Sequence, residues 1–92
     1  MEYELTIISQ EELTVVDKIE LEKLIKRYGR ITKRVVNGVK RLAYPIFNRE
    51  KGLYLFYELE IDRDKVSELS GVLNINDKVL RYLMVRKDTR RV

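Results

Sequence analysis

Between Leu53 and Ile61 every second residue is apolar, Leu53, Leu55, Tyr57, Leu59 and Ile61, with Tyr54, Phe56, Glu58 and Glu60 between them. A period of two sends these sets to opposite faces of a β-strand, whereas a helix over the same residues would drag glutamates into the core. The run therefore predicts a strand over 53–61 that buries one face. Residues 3 to 8 repeat the pattern, with Tyr3, Leu5 and Ile7 on the core side. A third β-like stretch runs from Arg30 to Phe47 and a fourth from Val79 to Lys87. Within the third, Asn37-Gly38 is either a tight hairpin turn or a bulge in one long strand. Pro45 has no N–H to give a ladder, which places this strand at a sheet edge. A polar turn is expected over 48–52.

Two segments change to helical spacing. Ser9 and Glu12 have capping-box separation, so a helix is expected to follow Ser9 and run to about Tyr28. Its apolar stripe is Leu13, Val16, Leu21, Leu24, Ile25 and Tyr28, with Ile19 off to the side. Lys26 and Arg27 suit its negative end, and Gly29 stops it. Asp62 is the expected N-cap of a second helix reaching Asn74, with Val66, Leu69, Val72 and Leu73 inward. The order β-α-β-β-α-β predicts an α+β fold, the ferredoxin-like four-stranded antiparallel sheet with both helices on one face. The other face stays open, and Tyr54 and Phe56 point to it.

The 92 residues suit one domain, taken as 1–88, with a short basic tail at 89–92. The chain has neither Cys nor His, which excludes disulfides and thiolate chemistry and removes the commonest metal ligand and general base. No metal site, cofactor or catalytic activity is expected. Net charge is +4, with Lys78, Arg81, Arg86, Lys87, Arg90 and Arg91 near the C-terminus against Asp88, and an acidic excess over 1–22. This balance is compatible with a nucleic-acid partner. No apolar run is long enough to span a membrane and no signal-peptide pattern is visible, so the protein is expected in the cytosol or in a compartment reached without a visible tag.

The most specific stretch is Gly38-Val39-Lys40-Arg41-Leu42-Ala43-Tyr44-Pro45-Ile46. It resembles the signature of the bacterial S-six ribosomal proteins. Tyr3-Glu4, Tyr28-Gly29, Gly52 before an aromatic strand and the basic last strand fall in the same register, so the resemblance spans essentially the whole chain. It departs from the pattern at Phe47, where the family usually has a small or basic residue, and at Glu2, often Arg. The acidic extension of some relatives is absent, and no acidic-tail modification is expected.

The resemblance implies a structural, cytoplasmic component of the small ribosomal subunit. It would bind central-domain small-subunit rRNA together with the small-subunit protein numbered eighteen. Carried over by position, Lys40, Arg41, Arg81, Arg86 and Lys87 become candidates for rRNA contact. Tyr44, Pro45, Tyr54 and Phe56 become candidates for the protein partner's surface. Against this, a single Lys or Arg on a strand is more often a solvated charge, and Arg90 and Arg91 also fit a solubilising tail. Tyr44 fits half-buried packing as well as an interface, and Tyr54 and Phe56 fit cross-strand pairing. Two other readings share parts of this pattern. A single-stranded RNA reader of the RRM type shares the element order, but its stacking positions correspond to Leu53 and Leu55, and the aromatics fall one residue out of phase. An acylphosphatase-like enzyme would need a phosphate cradle after the first strand, where Ser9-Gln10-Glu11-Glu12 is acidic.

Overall fold

The computed structural model describes residues 1–87; the expected tail at 89–92 lies outside the described residues. The elements are β1 (Glu2–Ser9), α1 (Val15–Lys26), β2 (Gly29–Ile46), β3 (Arg49–Ile61), α2 (Arg63–Asn74) and β4 (Val79–Arg86). The strands form one antiparallel sheet in the order β2-β3-β1-β4, so β2 with its Pro45 is an edge strand as its composition requires.

One face of the sheet carries the core. Leu5, Ile7, Leu55, Tyr57, Leu59 and Ile61 are buried there with Leu21 and Ile25 of α1 and Leu69 and Leu73 of α2. Both helices lie on this face. Tyr57 donates a hydrogen bond to Glu22 of α1 (3.2 Å), and Tyr82, in the row of Ile7, donates to the Ser70 carbonyl of α2 (3.1 Å). Glu22 also takes a two-pronged contact from Arg34 on β2, at 3.1 and 3.0 Å, which ties the edge strand to α1. Burial, with the Glu22 carboxylate beside it, pushes the Tyr57 phenol above its ordinary pKa.

Helix α1 begins later than its sequence predicts. Thr14, not Ser9, is the N-cap, in a reciprocal capping box with Asp17 at 3.1 and 3.2 Å. Such a cap is worth roughly 1 kcal/mol. Both pairs have the right spacing, and the sheet decides between them. Ser9 still pairs with Leu53 and Val79 and is fully buried, so its hydroxyl bonds the Gln10 carbonyl. The shift leaves Val16 exposed rather than in the apolar stripe, and α1 ends at Lys26, two residues short of Tyr28. The Thr14 N–H, with Lys78 next, holds the Asp17 carboxyl below the usual range. Helix α2 lies where expected.

Asn37-Gly38 is a bulge, not a turn. Val36 pairs with Leu55 and Gly38 with Tyr54, leaving Asn37 unpaired, and Gly38 takes φ +89°. The reversal comes instead at Phe47-Asn48, where Ile46 pairs with Arg49 and both loop residues have positive φ (50° and 63°). This is the backbone of a type I′ turn, which Asn tolerates and Phe does not. Strand β3 therefore starts at Arg49, four residues before the expected start, and the polar turn foreseen at 48–52 is mostly strand. Phe47→Asn is expected to stabilise the protein by about 1 kcal/mol, raising Tm by about 4–8 °C in a thermal melt. An unchanged Tm would mean that the exposed Phe47 ring makes up the strain through contacts of its own.

Candidate functional site

Strand β1 pairs with β3 only from Leu53 to Glu60. Arg49 to Gly52 therefore have β2 as their only neighbour strand, and the end of the β2–β3 hairpin is an arm beyond the sheet. This arm carries Lys40, Arg41, Arg49 and Lys51 against one acid, Glu50. Between the pairs Arg41–Lys51 and Ile46–Arg49, the four residues Leu42 to Pro45 stand opposite Glu50 alone. The chain cannot stay in register there, so it loops out. Leu42 folds against Gly52 beside Ile8 and is 7% exposed, while Ala43, Tyr44 and Pro45 face solvent. Tyr44 is 79% exposed, which rules out half-buried packing. Pro45 interrupts no ladder bond because the bulge has already done so.

Register fixes the open face row by row. Gly38, Tyr54, Ile8 and Arg81 form one row, and Val35, Phe56, Thr6 and Leu83 the next. Then come Lys33, Glu58, Glu4 and Val85, followed by Arg30, Glu60 and Glu2. The half nearer the arm is thus apolar, with Tyr54 and Phe56 half-buried and Leu83 exposed. The other half has four carboxylates at its centre. Arg30 binds Glu60 at 2.6 Å and holds its carboxyl below the usual range. Lys87 reaches Glu58 at 3.5 Å and Glu2 at 3.9 Å.

The five cations singled out from the sequence are not brought into one patch. Lys40 lies on the open face with its ammonium 5.6 Å from the Tyr54 ring centre, a cation–π contact. Arg81 is exposed two strands away, in the row of Tyr54. Arg41 is on the arm's other face, 3.9 Å from Glu50 with both side chains about three-quarters exposed. Arg86 pairs with Tyr3 at the far end of the sheet, and Lys87 there is engaged by glutamates. Tyr54 and Phe56 do share the open face, as expected. Tyr54 and Phe56 thus stand where an RRM-type reader would stack bases, so their phase does not exclude such a reader. The stronger objection is electrostatic: Glu2, Glu4, Glu58 and Glu60 share that face and repel a phosphate backbone.

Arg49 and Lys51 fall in the stretch whose composition predicts a turn; Arg49 binds Glu12 at 2.7 Å, whereas Lys51 makes no ion pair among the described residues. The available signal was Asn48, whose tolerance of positive φ marks a two-residue reversal from which both strands can be counted outward.

A family model described as Ribosomal protein S6 matches residues 2–86. Among curated relatives, the chain is 41% identical to small ribosomal subunit protein bS6 of Corynebacterium aurimucosum, over 96% of this chain and 97% of that one. It is 44% identical to the Corynebacterium glutamicum protein of the same name (95% and 97%) and 33% identical to that of Thermus thermophilus (91% and 88%). The crystal structure of 30S ribosomal protein S6 from Thermotoga maritima superposes with a TM-score of 0.81, covering 94% of this chain and 86% of that one. At 21% identity this last likeness supports the fold.

Proposed function

The chain belongs to the ribosomal protein S6 family and is a structural constituent of the small ribosomal subunit, and we propose that it binds central-domain small-subunit rRNA together with the small-subunit protein numbered eighteen. As a family of ribosomal structural proteins, its members are not enzymes, and their place is the small subunit in the bacterial cytoplasm.

The observation that carries the proposal is the division of charge between arm and sheet. The arm concentrates cations on a segment whose ladder partner is β2 alone, and although Arg49 is held by Glu12 at 2.7 Å, the exposed Lys40, Arg41 and Lys51 can reach the phosphates of an A-form backbone. Lys40 and Arg41 approach from the arm's two faces, and Arg81 from the same end of the sheet. Arg86 and Lys87 lie at the other end and are secondary contacts. The apolar half of the open face, with Tyr54 and Phe56, fits a protein surface, as do Tyr44 and Pro45 on the looped-out segment. Aromatics set in a half-buried apolar strip are typical interface anchors.

The test is a binding titration against a central-domain rRNA junction fragment, with and without the eighteenth protein, at two salt concentrations. Binding is expected to be weak alone, tight with the partner and salt-sensitive. Lys40→Ala with Arg41→Ala should weaken it by about 10- to 100-fold. Tight binding to unstructured RNA without the partner would favour a stacking-type reader instead. No RNA binding under either condition would sink both.

A further inference from the structure

Arg41 and Lys51 are direct partners across the β2–β3 ladder, so their side chains leave the arm on the same face, about 5 Å apart at Cβ. Like charges placed so are destabilising. The sheet contains two other like-charged pairs, Glu2 with Glu60 and Glu4 with Glu58. Each of those is relieved from within the chain, by Arg30 on Glu60 at 2.6 Å and by Lys87 on Glu58 at 3.5 Å. The cationic pair has no comparable relief. Glu50 approaches Arg41 no closer than 3.9 Å, with both groups open to water, and Lys51 makes no ion pair among the described residues. An anion supplied from outside would relieve this pair more fully than the exposed Glu50 does.

We propose that Arg41 and Lys51 together clamp one phosphate of the rRNA backbone, with Lys51 a phosphate-contacting residue in its own right. The inference rests on the proposed rRNA binding and deepens it. A phosphodiester oxygen set between the two side chains accepts from both, Arg41 supplying the planar fork and Lys51 the point charge. The repulsion that strains the free protein then becomes attraction in the complex. Hence the two readouts move in opposite directions, which a merely solvated lysine would not produce.

The experiment compares the unmodified chain with Lys51→Gln and with Lys65→Gln, an exposed cation on α2, as full-length proteins. Each is melted alone and titrated against the rRNA junction fragment with the eighteenth protein present, over a range of salt. Lys51→Gln is expected to melt about 2 °C higher. It should bind RNA about three- to tenfold more weakly, with a salt slope shallower by about one, while Lys65→Gln matches the unmodified chain. Unchanged affinity in Lys51→Gln, or an equal loss in both variants, overturns the clamp while leaving the ribosomal reading standing. If the unmodified chain itself fails to bind, the proposed function has failed and the clamp falls with it.

Discussion

Leu59→Ala is expected to lower stability by about 3 kcal/mol, within the range for truncating a buried leucine. Leu59 has no exposed surface and sits in the middle of the sheet, with Tyr3 of β1 on one side and Ile31 of β2 on the other. The removed atoms lose their transfer free energy, and the cavity costs more because three paired strands cannot collapse into it. A chain of this size has a total stability of about 5–14 kcal/mol, so the loss is a large fraction of what holds it folded. In a thermal melt Tm should fall by about 12–24 °C. A fall of less than about 4 °C would show that α1 and α2 close over the gap, and that the core is looser than its burial indicates.

Gly52→Ala is the second large effect, and it tests how the arm is attached. A Cβ at position 52 would lie 2.6 Å from Ile8 Cγ2, 3.2 Å from the Ser9 carbonyl oxygen and 3.4 Å from Leu42 Cδ2. Glycine lets Ile8 and the buried Leu42 close over the strand just where β1 ends. Overpacking of this kind costs about 1–3 kcal/mol, or a Tm lower by about 4–24 °C. The backbone there takes no left-handed conformation, so the cost is steric. Because Gly52 pairs with Lys40, any displacement also shifts the arm. Weakened RNA binding below the melting range should therefore accompany the lower Tm. A stable variant with unaltered RNA affinity would mean that Ile8 rotates away, and that Leu42 is not what orients the arm.

The candidate site was legible only in part. Lys40, Arg41, Tyr44 and Pro45 come from one continuous motif, and the alternation along β3 placed Tyr54 and Phe56 on the open face from periodicity alone. That Lys51 faces Arg41 was out of reach, because it depends on where the hairpin reverses. A one-residue error in the turn moves a side chain to the other face. The turn itself was hidden because Phe47 occupies a positive-φ position that its side chain disfavours.

The element order, the buried face of β1 and β3, the edge position of β2 and the second helix were all determined by the sequence. Each rests on local periodicity or on the missing N–H of a single proline, and neither needs a distant partner. The start of α1 was settled by tertiary structure, since Ser9-Glu12 and Thr14-Asp17 are both valid caps until β1 claims Ser9 for the sheet. The bulges at Thr32, at Asn37 and at Leu42 to Pro45 were settled in the same way, by the pairing of an 18-residue strand with a 13-residue one. Surplus residues must leave the ladder somewhere, and only packing chooses where. That choice buries Leu42 beside Gly52 and exposes Tyr44, and it puts two cations side by side with only the solvent-exposed Glu50 near them.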